Sequence, residues 1–351
     1  MEISKSLKKE IDKLLNVKQI NINIADMLLT SYEYEDIVTE KKLKEKKSLG
    51  LSEKEAYFSL LLDFFQIDEE DEESIDIANK YIFNNLKECD EKEYLDNPYV
   101  KLVKAKELKN KNYKLTNIHY LPYQGFALDE IDVTDYPYEE YYKVGYFKNK
   151  FSYLSLIKDD NIWMSVNPNE INTMKPFIKD AKGNVLVLGL GMGYIAYMMS
   201  LKEEVKSITV VELDENIISI FKENILPVLG PTKAKIKIVH DDAIRYLENN
   251  HKFDYYFADL WHNPEDGLPI YLNLENISQK FKIPMNYWLN ASLKAMKRRC
   301  LLTLIEEYFM GYSDKDYRFA KNPMDQAINY LYKINKDIKI NTLEELKKFL
   351  A

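Results

Sequence analysis

Apolar residues recur at intervals of three and four through the N-terminal region. Ile3, Leu7, Ile11, Leu14 and Leu15, set among lysines and glutamates, predict an amphipathic helix. Residues 53–66 predict another, with Leu60, Leu61, Phe64 and Phe65 as a broad buried face. The unbroken acidic run over residues 68–73 separates it from a further helix over 75–86 and reads as a solvated loop or helix start. Between about Asn117 and Val166 the period shortens to an apolar–polar alternation with turn signals. This predicts two or three antiparallel strands, with Asp159-Asp160-Asn161 as a hairpin turn. Pro168 marks a boundary, and residues 170–178 read as a short helix.

From Asn184 the pattern changes again. NVLVLG is an almost continuous apolar run, SITVVE reads as a second buried strand, KIKIVH and DYYFAD as further strands, and helical stretches over 194–201, 216–223 and 243–248 lie between them. Strands and helices taking turns imply crossover connections and a parallel sheet covered on both faces. After Asp259 the pattern weakens: residues 286–299 read as helix, 300–305 as a next strand, and the tail as mostly helix, with Asn341-Thr342 as a cap. The expected architecture is α/β and Rossmann-like. It divides into a helical region (1–116), a small β module (117–168), the Rossmann-like domain (169–300) and a mostly helical extension (301–351).

Composition narrows the function classes. With 351 residues, 46% apolar, the chain exceeds one core and buries a sizeable interior. The net charge of −8 argues against a nucleic-acid backbone binder, whose footprint is a basic face. Cys89 and Cys300 make no disulfide framework, and His119, His240, His251 and His262 show no zinc spacing, so no metal site is expected. The charged, amphipathic N-terminus is not a signal peptide, and no apolar run reaches the roughly 20 residues that span a bilayer. The expectation is a cytoplasmic protein with no membrane partner; the β module or the helical extensions offer a surface for a homodimer.

The chemistry concentrates at the ends of the apolar runs. Gly189, Gly191 and Gly193 follow NVLVL and precede a helix, where backbone approaches a ligand or takes positive φ. Dinucleotide binding requires a small residue at the third place of G-x-G-x-x-G/A, and that place is Tyr194. Glu212 closes the second run, where a carboxylate can accept from both hydroxyls of a ribose. Asp242 follows the third run and can accept from an exocyclic adenine amine, while Ala243 leaves space for the ring. Asp259 ends the fourth, beside the same crevice.

GLGMG, VVELD, HDDA and ADLW resemble the successive motifs of class I S-adenosylmethionine-dependent methyltransferases, and residues 142–269 are most similar to the spermidine synthase group. The resemblance implies a class I methyltransferase sheet preceded by a β-hairpin module. It also implies an S-adenosylmethionine donor, or its decarboxylated form. Gly189, Gly191 and Gly193 would surround the donor's amino-acid portion, Glu212 would hold the ribose, and Asp242 the adenine amine. Spermidine synthases carry D-[ST]-S-D-P after the fourth strand; here Asp259 keeps the first acid, but His262 stands at the second. A histidine is a poor partner for a cationic diamine. The Tyr-His pair of that group is replaced around Glu170-Ile171-Asn172-Thr173, and [DN]-P-P-[YFW] is absent.

Alkyl transfer from a sulfonium needs in-line placement and desolvation more than acid catalysis, and a base only where the nucleophile arrives protonated. Asp259 is the candidate to position an amine or hydroxyl and His262 the candidate to take its proton. Trp261 reads as pocket wall or plain core, Tyr138, Tyr141 and Tyr142 as an acceptor channel or packing, and Asp266-Gly267 as a loop closing over the donor. Methyl transfer to a small molecule is the first functional expectation, because the diamine motif is not kept. Aminopropyl transfer from the decarboxylated donor is the alternative, and a non-catalytic binding protein that keeps the nucleotide fold is the third.

Overall fold

The computed structural model describes residues 1–311 and 322–351. Helix α1 (Lys8–Tyr32) buries Ile11 and Leu14 at one end and Ile24 and Leu28 at the other. Its two ends lie in two different apolar cores. The smaller core gathers helix α2 (Glu53–Phe65), whose Ser52 and Glu55 form a reciprocal capping box. The acidic run serves as a helix start, Asp71 capping the helix Glu72–Tyr81. Short helix α3 (Pro98–Leu102) follows, with Asn97 as its cap.

Strand β1 (Tyr113–Tyr120) pairs antiparallel with β2 (Phe151–Lys158), and β2 with β3 (Asn161–Val166). The β2–β3 turn is two residues, Asp159 and Asp160, both at positive φ (49° and 63°), the twist that a tight hairpin needs. The helical expectation for residues 1–116 is thus corrected at three places, the first being Glu2–Ile3, a strand that carries Ile3 and pairs parallel with Lys339–Ile340. Strand β1 starts at Tyr113, and a short strand, Leu86–Glu88, pairs parallel with Val144–Tyr146.

Helix α4 (Pro168–Asp180) leads into β4 (Gly183–Leu188), α5 (Tyr194–Ser200), β5 (Val205–Glu212), β6 (Ile236–His240), α6 (Ala243–Asn249), β7 (Tyr255–Ala258), α7 (Pro264–Phe281) and β8 (Met285–Tyr287). The five strands are all parallel, in the order β6-β5-β4-β7-β8. This is a Rossmann-like parallel sheet. Val185 to Leu188 are fully buried, as a strand covered on both faces must be. The order reverses direction at β4, so a crevice opens beyond the carboxyl ends of β4 and β7.

The expected strand at 300–305 is corrected. Those residues lie in helix α8 (Asn290–Met310), which also runs through the expected domain boundary at 300. The run CLLTLI is apolar because Cys300, Leu301, Leu302, Leu304 and Ile305 are buried within a helix, and an apolar run alone does not separate that from a buried strand. The fifth strand is β8, too short to leave a periodic signal. Helices α9 (Pro323–Asn335) and α10 (Leu343–Leu350) follow; Thr342 caps α10 in a capping box with Glu345. Among the described residues no helix is long and apolar enough to cross a membrane.

Candidate active site

A cavity of about 680 Å³ occupies the crevice at the carboxyl ends of the parallel strands. It brings together Gly189, Gly191, Glu212, Asp242, Ala243, Asp259 and His262; of the site residues expected from sequence, Gly193 does not line it.

The three glycines differ in what they answer to. At Gly189 (φ +96°) an added Cβ would stand 1.9 Å from the Asp259 carbonyl oxygen, and at Gly193 (φ +75°) 2.1 Å from the Phe221 ring. Those two are required by the protein's own packing. At Gly191 (φ +53°) an added Cβ would meet only the Met164 sulfur, at 3.9 Å. Gly191 therefore leaves the open space over the turn, a cradle that a side chain would partly fill.

Glu212 ties the end of β5 to this turn. One carboxylate oxygen accepts from the amides of Leu213 and Asp214, both at 2.8 Å, and the other from Leu190 N at 3.0 Å. Its second oxygen keeps acceptor capacity toward the cavity. Asp242 caps α6, accepting from Arg245 N at 2.8 Å through one oxygen. The neighbouring Asp241 instead pairs with the Arg245 guanidinium and does not line the cavity.

Asp259 follows β7, its amide held by the Leu188 carbonyl at 2.8 Å. Burial, then the charge of Glu212, pushes its carboxyl up to about 7. The sequence reading missed its companion, Glu170, in the first turn of α4. Glu170 lines the same cavity, and burial together with the Asp259 charge holds its carboxyl well above the usual range. Burial disfavours the charged form of both, so each carboxyl keeps its proton to higher pH than a solvated one.

His262 donates from Nδ1 to Asp266 at 3.1 Å, since an ionised carboxylate only accepts; its Nε2 is then the basic nitrogen. The other oxygen of Asp266 accepts from Asn263 N at 3.0 Å as part of the cap of α7. The expected closing loop at Asp266-Gly267 is accordingly corrected: both residues belong to the first turns of α7. An added Cβ at Gly267 would lie 2.5 Å from the Trp261 ring, so this glycine permits close packing and not loop motion.

All three tryptophans of the chain line the cavity. Trp163 meets the His262 ring edge-on at 4.5 Å, Trp261 is buried beside it, and Trp288 donates to Thr173 Oγ1 at 2.9 Å. Trp261 thus serves as both wall and core. Tyr138, Tyr141 and Tyr142 do not line the cavity, which corrects the acceptor-channel expectation. Tyr142 bonds Glu140 and Arg299, Tyr141 bonds Glu139 and stacks on Tyr81, and Tyr138 lies against Arg298. Among the described residues the lining holds five carboxylates (Glu170, Glu212, Asp214, Asp242, Asp259) and no lysine or arginine. No metal-holding group of three His, Cys, Asp or Glu forms among the described residues. The turn, the ribose-range carboxylate and the open place over Gly191 fit a nucleoside donor of the S-adenosylmethionine type.

The parallel sheet of order β6-β5-β4-β7-β8 and the cavity at its carboxyl edge define the class: a Rossmann-like α/β fold. Within that class, residues 164–268 match the spermine/spermidine synthase domain family. The chain is similar in structure to the spermidine synthase from Thermotoga maritima (13% identity, 43% of this chain and 58% of that one, TM-score 0.29). It is similar also to a putative O-methyltransferase from Klebsiella pneumoniae (16%, 47% and 66%, TM-score 0.27). A third similarity is to an O-methyltransferase from Bacillus cereus solved with S-adenosylhomocysteine (14%, 47% and 67%, TM-score 0.29). This chain therefore spans less than two thirds of the length of the spermidine synthase and of the first O-methyltransferase. No curated protein matches it in sequence.

Proposed function

We propose that the protein transfers an alkyl group from an S-adenosylmethionine-type donor to an amine nitrogen on a small acceptor. The observation that supports this most is the meeting of Asp259 and Glu170 in a cavity lined by carboxylates and aromatic rings, without a lysine or arginine. Such a lining favours a cation and disfavours carboxylate or phosphate acceptors. The sequence shows His262 where a diamine-binding acid would stand; Glu170 supplies a second acid from a different element.

When bound, the donor supplies an activated sulfonium carbon. Glu212 and Asp242 orient the nucleoside, and the Gly191 turn receives its amino-acid end. Asp259, held near neutrality by burial, accepts a proton from the incoming ammonium so that the nitrogen lone pair is free to attack. His262, oriented by Asp266, passes that proton toward solvent at the cavity mouth. The tryptophans and Leu260 keep water from the reacting centre.

Methyl transfer is the first reading, since the second acid of the diamine motif is replaced. Aminopropyl transfer from the decarboxylated donor is the second, favoured by one observation: a donor carboxylate would find no side-chain cation in this lining. Calorimetry with S-adenosylhomocysteine and with decarboxylated S-adenosylmethionine, followed by product mass analysis with small amines and small acids, tests both. Amine products 14 Da heavier identify methyl transfer, and 57 Da heavier aminopropyl transfer. Binding of neither donor would remove the proposal and leave the binding-protein alternative.

A further inference from the structure

The turn that would receive the donor is held from outside the domain that contains it. Residues 97–113 precede the family-matched segment and reach residues on two turns beside the cavity. Tyr99, with 0% exposure, donates its hydroxyl to the carbonyl of Met192, between Gly191 and Gly193, at 2.5 Å. Asn97 donates from its amide to the Tyr194 hydroxyl at 3.0 Å, and the Tyr99 ring meets the Tyr194 ring edge-on at 5.4 Å. Farther along, Asn110 donates to Asn216 at 3.2 Å and Tyr113 to Asp214 at 3.5 Å, on the turn that follows Glu212. The same segment therefore touches both turns that the donor would contact.

We infer that Tyr99 is a positioning residue of the donor site, and that the N-terminal helical region completes that site through it. The physical reason lies in the Met192 carbonyl. The turn takes positive φ at Gly189, Gly191 and Gly193, and the Met192 carbonyl within it falls into neither the strand ladder nor the helix. A buried carbonyl in such a turn needs a donor, and Tyr99 provides one. Without the hydroxyl, the carbonyl rotates toward another partner and carries Gly191, whose open place faces the cavity, with it. Met192 is buried at 4% exposure and is not itself positioned to answer to solvent. The inference rests on the donor reading proposed above.

Tyr57 provides the control. It is also a buried tyrosine (1% exposure) donating to a backbone carbonyl, that of Tyr123 at 2.9 Å, but it lies in the separate N-terminal core. The experiment titrates S-adenosylhomocysteine and decarboxylated S-adenosylmethionine into the full chain, as wild type, Tyr99→Phe, Tyr194→Phe and Tyr57→Phe, with melting temperatures recorded without ligand. Expected are similar small losses in melting temperature for Tyr99→Phe and Tyr57→Phe, and a donor Kd raised about tenfold in Tyr99→Phe alone. Tyr194→Phe, which removes the partner of Asn97, should raise Kd by about threefold and gives a second reading of the same tie. In turnover assays the donor KM of Tyr99→Phe should rise more than kcat falls. A donor Kd within twofold of wild type in both Tyr99→Phe and Tyr194→Phe, or equal weakening in Tyr57→Phe, overturns the inference while leaving the donor reading standing. Failure of the wild type to bind either ligand overturns the donor reading, and this inference with it.

Discussion

The two halves of the cavity are built in different ways. The proposed donor half consists of turns: Gly189 to Gly193 after β4, Glu212 after β5, Asp242 after β6, each at the carboxyl end of a strand of the parallel sheet. Its polar contacts are largely to main chain, as in the amides of Leu190, Leu213 and Asp214 that converge on Glu212. The acceptor half consists of side chains from distant elements: Glu170 from α4, Trp163 from the hairpin, His262 from the start of α7 and Trp288 from beyond β8. A half made of turns is conserved in shape by the sheet itself. One made of side chains changes with each substitution, so acceptor specificity is expected there under the proposed function.

The sharpest way to break this division is at Asp259, which sits on the line between the halves. If it belongs to the acceptor half, Asp259→Asn should lower turnover by about 10²–10⁴-fold and leave the donor Kd within about twofold. Single-turnover assays and calorimetry on the same preparation separate the two quantities. An equal loss in both would assign Asp259 to donor binding.

The next largest effect tests whether the donor turn is shaped by packing or by ligand. Gly189→Ala forces a Cβ against the Asp259 carbonyl and a disfavoured φ, and should cost about 3 kcal/mol or more in denaturant unfolding. Gly191→Ala meets open space and only the φ penalty, about 1 kcal/mol, yet should weaken donor binding more than its stability loss suggests. Equal stability losses in the two variants would show that Gly191 also answers to the fold and not to a ligand.

The same division explains what was legible in the sequence. Gly189, Glu212, Asp242 and Asp259 each end an apolar run, so their common address could be read from order alone. Glu170 could not. An acid at the third position of a helix is ordinarily a capping residue, and its amide is indeed held by Asn167 at 2.9 Å. Only the folded chain reveals that it lines the same cavity as Asp259. Trp288 was hidden because β8 has three residues and no period to announce it. Gly267 was misread because a glycine beside an aspartate signals a turn, whereas here the glycine makes room for the Trp261 ring. Helix α8 was misread because burial on several sides erases the 3.6-residue period.

The smallest expected effect concerns the pair that the sequence concealed. In the folded chain burial raises the carboxyls of both Glu170 and Asp259, the latter to about 7. In the unfolded chain both titrate near pH 4. Between about pH 4 and pH 7 the folded chain therefore holds protons that the unfolded chain has released, and stability falls as the pH rises through that window. Glu170→Gln removes one of the two raised carboxyls. Denaturant unfolding should find it about 1–2 kcal/mol more stable than wild type at pH 8, with little difference at pH 4.5. A variant less stable than wild type at pH 8 would mean that Glu170 is held by partners that need its charge. The acceptor half would then be a fixed ion-pair arrangement and not a carboxyl pair waiting for a cation.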